Sequence, residues 1–152
     1  MATLTTEFRA ETERIHKEHL ALEQLLTDLD IALDRLICYS EVFTDMAGAD
    51  EVRRCGRLLA RVLPEHCRRE EATLLDRVSD VSPQLRAFCQ EMRQEHGVVL
   101  ARLQRLTATL DEFDRAEDLS EAIWHLKEQG KELTAELRRH IAVEEKELSG
   151  FL

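Results

Sequence analysis

The sequence predicts an all-α fold, an antiparallel four-helix bundle of up-down-up-down topology, and three observations carry the prediction. Apolar residues recur in alternating steps of three and four over four long stretches, the seam pattern of a bundle helix. The turn signals between the later stretches leave connections short enough to force neighbouring helices antiparallel. Composition agrees: of 152 residues, 43% are hydrophobic and 34% charged, with five Gly, two Pro and 5% aromatics, a profile of helices rather than of a sandwich or a disordered chain. The length suits one domain, residues 1–152, with its own core.

The first stretch carries Phe8, Ile15, Leu22, Leu29 and Leu36 at intervals of seven, with Leu26 and Leu33 between them. It is expected to end at Ile37. "TDMAGADE" (44–51), with Gly48, reads as the break before a second helix starting at Asp50. That second seam runs Val52, Leu59, His66 and Thr73, with Cys55, Val62 and Glu70 interleaved. Pro64 lies inside it and should free the Ala60 carbonyl and bend the chain before His66. Ser82 followed by Pro83 is an N-cap with proline at the first helical position, opening a third seam of Leu85, Met92, Val99, Leu106 and Phe113. Phe88, His96, Leu103 and Leu110 fill its alternate positions. Asp118 with Glu121 three residues on resembles a capping box. It starts the fourth seam of Leu119, Leu126, Leu133, His140 and Glu147, interleaved by Ile123, Gly130, Leu137, Glu144 and Phe151.

Six polar residues interrupt these apolar seams: His19, His66, Glu70, His96, His140 and Glu144. Glu70 and Glu144 each follow a histidine by four, one turn along the same face. Counting from the turns places all four histidines at one height. His66 and His96 are each 15 residues from Val81, His96 and His140 are 21 and 23 from Glu117, and His19 and His66 are 18 and 16 from the first connection. At about 1.5 Å per residue, a mismatch of two is about 3 Å.

A buried carboxylate without a partner costs several kcal/mol or is neutralised, so a polar layer at mid-core needs either a closed hydrogen-bond network or a cation. Neutral imidazole and carboxylate together suit non-haem iron, manganese or zinc. Four imidazoles supply two per metal, and two bridging carboxylates give each metal four protein ligands, which predicts two metals and leaves a position for a small molecule. The order differs from ferritin-like bundles, which place Glu three residues before His; here it is His-x-x-x-Glu, twice.

"EHLALEQLL", "EHCRREEATLL", "EHGVVLARL" and "RHIAVEEKEL" together resemble the hemerythrin-like, HHE cation-binding family over nearly the whole chain. The resemblance implies two iron ions as a non-haem di-iron centre. It carries His19, His66 with Glu70, His96, and His140 with Glu144 onto the family's ligand positions. It also implies a small diatomic or peroxide ligand: oxygen, nitric oxide or hydrogen peroxide. Oxygen carriers of the family have a second histidine four residues along the third helix, where this chain has Leu100. His16, one turn before His19, is an auxiliary candidate, because some relatives use the first histidine of such a pair. Relatives that repair iron–sulfur centres carry an additional N-terminal domain, and this chain is expected to have the bundle alone. Iron storage, or an iron-responsive module without turnover, is the alternative function. No residue beyond the candidate ligands stands out as a general acid or base, so enzymatic turnover stays open.

Other features bound the reading. A net charge of −10 argues against nucleic acid as a partner, and Arg53, Arg57 and Arg61 read as a solvated face pairing with acidic neighbours. No apolar run is long enough to cross a membrane and the first 20 residues lack a secretion signal, so a cytoplasmic monomer or homodimer is expected. Cys38, Cys55, Cys67 and Cys89 contain no Cys-x-x-Cys and read as small buried hydrophobes or free thiols. His125 is 15 residues from His140, too far to join the layer, as are Tyr39 and Trp124. Glu23 reads as a surface carboxylate, and Glu71 and Glu145 as groups behind the ligands or at the surface.

Overall fold

The computed structural model describes residues 6–36, 46–113 and 115–152, and it is all-helical across them. Helix α1 spans Thr6–Arg35 and α2 spans Met46–Glu70. A π-helical turn, Glu71–Leu75, and a short helical turn, Asp76–Val78, extend α2. Helix α3 spans Pro83–Phe113 and α4 spans Leu119–Glu147. Each helix packs on its two neighbours, α1 on α2 and α4, and α3 on α2 and α4. The predicted starts of α3 and α4 hold. Ser82 Oγ accepts from Leu85 N at 3.1 Å, and Asp118 Oδ1 accepts from Glu121 N at 3.1 Å.

The first connection departs from expectation. The α-helix ends at Arg35 rather than Ile37, and α2 begins at Met46 rather than Asp50. Gly48 is therefore helical, and its role is packing rather than turning. A Cβ there would lie 3.4 Å from the carbonyl carbon and oxygen of Arg35, so glycine lets the first turn of α2 close on the last turn of α1. Measured from this contact, His19 lies 16 residues back and His66 18 ahead, which keeps both at one height. Cys38 and Tyr39 fall outside the described residues.

The second seam also shifts. The α-helix runs through Pro64 to Glu70, and the departure from α-geometry comes after Glu70. Leu63 is fully buried where Val62 was expected, and Val62 is exposed. Beyond Glu70 the π turn inserts one extra residue, so Leu74, Leu75 and Val78 face the core and the expected Thr73 is only half-buried. In α4, Leu119 and Glu147 are exposed and Leu148 takes the buried place at the C-terminal end.

The core consists of two apolar clusters. The larger contains Leu22, Leu26, Leu59, Leu63, Val99, Leu103 and Leu137, and the smaller Phe8, Ile15, Leu74, Leu75, Met92 and Leu148. Between them, in sequence along every helix, lie His19, His66, Glu70, His96, His140 and Glu144, each no more than 4% exposed. Cys55, Cys67 and Cys89 are buried free thiols, as expected of small core residues. Burial pushes the Cys67 thiol far above its ordinary pKa, with the negative charge of Glu70 and Glu144 adding to the effect.

Two glycines should respond to substitution with opposite sign. A Cβ on Gly130 would lie 2.5 Å from a methyl of the fully buried Leu33, whereas one on Gly97 meets nothing within 4 Å. Gly130→Val should lower the unfolding free energy by about 1–3 kcal/mol through overpacking. Gly97→Ala should raise it by about 0.5–1 kcal/mol through helix propensity. Urea denaturation of the two variants measures both.

Candidate metal centre

The helical seam aims the six polar residues at one another. The rings of His19 and His66 pack edge to face with centroids 4.9 Å apart, and those of His96 and His140 do so at 4.8 Å. One histidine pair thus belongs to α1 and α2, the other to α3 and α4. The two glutamates lie between the pairs. Glu70 Oε2 is 3.0 Å from His19 Nε2 and 3.3 Å from His66 Nε2, while its Oε1 is 3.0 Å from His96 Nε2. Glu144 Oε1 is 2.8 Å from His140 Nε2 and 3.6 Å from His96 Nε2, and its Oε2 is 3.4 Å from His19 Nε2. Each carboxylate therefore turns one oxygen to each histidine pair.

Outside this layer, each histidine Nδ1 meets a different carboxylate. His66 pairs with Glu18 at 2.7 Å, His96 with Glu71 at 2.7 Å, His140 with Glu95 at 2.6 Å and His19 with Glu145 at 2.7 Å. The four contacts form a closed ring: α1 holds the histidine of α2, α2 that of α3, α3 that of α4, and α4 that of α1. An ionised carboxylate only accepts, so each Nδ1 carries the proton and donates. In the neutral imidazole this leaves every Nε2 with its lone pair directed inward, the tautomer a metal ligand requires.

An inward lone pair facing a carboxylate oxygen is repulsive unless a cation lies between them. Among the described residues, seven buried side-chain polar atoms lack a hydrogen-bond partner, and five belong to this layer: Glu70 Oε1, His96 Nε2, His140 Nε2 and both oxygens of Glu144. His140 Nε2 is near Glu144 Oε1, yet without the alignment a hydrogen bond needs. Two sets of donor atoms lie within 4.8 Å of one another: Glu70, His96, His140 and Glu144, and His19, His66 and Glu70. Orphaned donors of hard oxygen and imidazole nitrogen, buried and convergent, fit a divalent or trivalent first-row metal.

Protons are the competing cation. Burial by itself would lower the pKa of His19 and of His96. In both, close contact with the Glu144 and Glu70 carboxylates and the charge of Glu70 outweigh burial and push the value up to about 10. Burial likewise opposes the rise at His140, where contact with Glu144 prevails. Burial would raise Glu70, but its close contacts with His19, His66 and His96 hold it well below the carboxylate range. Glu144 is lowered against burial by His140 and His19.

Of the sequence-predicted residues, the structure brings His19, His66, Glu70, His96, His140 and Glu144 together. His16 does not join them. It is half-exposed, and its Nδ1 lies 3.0 Å from Glu145 Oε1, on the outer ring. His125 is exposed on α4 beside Trp124, away from the layer. Glu71 and Glu145, placed by sequence behind the ligands or at the surface, each hold a histidine of the neighbouring helix. Glu18 and Glu95 escaped notice. The available signal was adjacency: all four outer carboxylates stand next to an inward residue in sequence, and one step on a helix turns about 100° toward the next groove. Adjacency alone is ambiguous, since Glu65 precedes His66 but pairs with Arg68 and Arg69.

Fold and site together define a class, a four-helix bundle with a buried histidine–carboxylate cluster suited to cations. The chain matches the hemerythrin HHE cation binding domain over residues 10–152 and belongs to that family. Among curated proteins, and among solved structures, nothing matches significantly. Among the described residues no helix is long and apolar enough to cross a membrane.

Two outcomes follow from this geometry. In the metal-free protein, the raised histidines contribute stability that is full below their unfolded pKa of 6.5 and is lost as pH rises through about 10. The lowered glutamates contribute above their unfolded value of 4.5 and lose that contribution as pH falls through their folded values. Metal-free protein should therefore melt highest between about pH 4.5 and 6.5 and progressively lower toward pH 10, as read by thermal denaturation in chelator. Separately, Glu95→Ala removes the acceptor that orients His140, and calorimetric titration should show metal affinity roughly 10–100-fold weaker.

Proposed function

We propose that this protein is a non-haem di-iron protein that binds or reacts with a small ligand, namely oxygen, nitric oxide or peroxide, in the bundle core. The observation that carries the reading is the pair of shared carboxylates, Glu70 and Glu144, each with one oxygen toward each histidine pair. His19 and His66 would hold one iron and His96 and His140 the other, with both glutamates common to the two. When bound, such a centre supplies redox-active metal with room for a small molecule beside the protein ligands.

The chain's own residues set the conditions of that chemistry. Glu18, Glu71, Glu95 and Glu145 fix the imidazole tautomers and strengthen the nitrogens as donors. The apolar clusters above and below exclude water and keep charges in the layer strongly coupled. Leu100 stands where the oxygen carriers of the family have a further histidine, so the α3–α4 side would have one protein ligand fewer than theirs. That favours reaction at, or tight capture by, an open position over carriage on the oxygen-carrier pattern. Beside the six residues and the outer carboxylates, the buried Cys67 thiol adjoins the layer, and burial holds it protonated, so a proton needed in turnover would come from a histidine–carboxylate pair or the ligand.

Elemental analysis of protein purified in air should give two irons per chain, with near-ultraviolet and visible bands that change on adding azide or peroxide. His140→Ala and Glu144→Ala should each lose at least half of the iron while keeping a helical circular dichroism spectrum. One iron per chain, or full loading of both variants, overturns the di-iron site. Iron that loads and leaves without any ligand-dependent band points instead to storage or iron sensing.

A further inference from the structure

The four grooves between neighbouring helices are closed at the height of the layer by the four outer carboxylates, and they are not closed equally. Glu18, between α1 and α2, pairs also with Arg69 and Arg14. Glu95, between α3 and α4, pairs also with Arg139 at 3.2 Å. Glu145, between α4 and α1, is shared with His16. Glu71, between α2 and α3, has only His96 on its carboxylate among the described residues, since Arg93 reaches its backbone carbonyl and pairs with Asp76. It is also the most exposed of the four side chains, at 36% against 16% for Glu95, 20% for Glu18 and 29% for Glu145.

The same α2–α3 groove contains a cleft of about 240 Å³ lined by Ala60, Pro64, Leu100, Leu103, Gln104 and Thr107. Its position is next to the layer. Pro64 precedes His66 by two residues, and Leu100 follows His96 by four, about 6 Å along the axis. Leu103 belongs both to the cleft wall and to the buried core, and Leu100 packs partly buried against that core. A missing hydrogen bond within α2 and a change of helix type after it flank the groove. Pro64 has no N–H to return to the Ala60 carbonyl, and the π turn begins at Glu71.

We propose that the α2–α3 groove is the path by which a small uncharged molecule reaches the buried cluster, with Leu100 as the side chain that closes it. This rests on the proposed di-iron function and adds a route and a charge preference to it. The cleft offers mainly aliphatic walls, which suit a neutral diatomic gas. Glu71 does not line the cleft; seven residues beyond Pro64, about 10 Å along the axis, its carboxylate stands on His96 at the layer end of the groove, where it disfavours an anion, so oxygen or nitric oxide passes more readily than azide or superoxide. The other three grooves present carboxylates fixed by a second partner.

Two measurements test this, one without iron. In metal-free protein under xenon pressure, methyl resonances of Leu100 and Leu103 should shift at lower pressure than those of Leu22 or Leu137, and absence of such shifts counts against the cleft as a gas site. In reduced, iron-loaded protein, stopped-flow mixing with nitric oxide should give an association rate at least tenfold lower in Leu100→Trp and in Gln104→Trp, and several-fold higher in Leu100→Ala. Iron content and the nitric oxide equilibrium constant should change little, because a route alters both rates together. Gln104 is exposed, so its variant tests the cleft mouth even if Leu100→Trp misfolds. Unchanged association rates in both tryptophan variants overturn the route alone. Wild-type protein that loads iron yet gives no nitric oxide spectrum overturns the function reading and the route with it.

Discussion

Two carboxylates fully removed from water in the middle of an apolar core set the terms for the rest of this bundle. Glu70 and Glu144 are each 0% exposed, and no arginine or lysine reaches either of them among the described residues. Four imidazoles surround them, and imidazole can answer a carboxylate in two ways: by taking up a proton or by sharing a metal. The Nδ1 contacts favour the second, because they fix each proton on the outer nitrogen and leave the inner one as a donor. The layer also divides the apolar core into two clusters, so each helix must bring its polar residue to the same height or strand a charge in one of them.

The outer ring explains how that alignment is enforced. Each helix contributes a residue to the inner layer and, beside it in sequence, a carboxylate that orients the histidine of the next helix. A rotation of any helix about its axis would break two contacts, one given and one received. The ring is also nearly two-fold. In α1 and α3 the outer carboxylate precedes the histidine, and in α2 and α4 it follows the glutamate. This matches the sequence echo between "EHLALEQLL" and "EHGVVLARL" and between "EHCRREE" and "RHIAVEE". The symmetry fails in the cations behind the carboxylates, and the α2–α3 groove is where it is weakest.

Local irregularities serve the same alignment. Gly48 allows α2 to start beside Arg35, and Gly130 allows α4 to meet Leu33, so that helices of different length still place their polar residues level. The π turn after Glu70 shifts the burial pattern by one residue. It gives Leu74, Leu75 and Val78 to the lower cluster while Glu71 reaches His96. Gly48 makes the contact from which α1 and α2 bring their histidines level, and the π turn directly follows Glu70.

The sequence by itself determined the bundle and the six inward residues, because a seam of period three and four is a one-dimensional record of which face is buried. His140 and Glu144 are legible in that way: they occupy seam positions that leucine would otherwise take. Helix starts governed by local chemistry, at Ser82 and Asp118, were legible for the same reason. What the tertiary structure decided is everything that depends on angle rather than spacing. Glu18 and Glu95 look like surface charges in sequence, since their partners are 48 and 45 residues away on other helices. Val62 and Leu63 are equally apolar, and only the facing helix selects between them. His16 and His19 are both near the seam, and only the packed bundle shows one turned inward and the other left beside Glu145. Side-chain partnership across a groove depends on helix rotation and offset, and those are fixed by packing the four seams together rather than by any one of them.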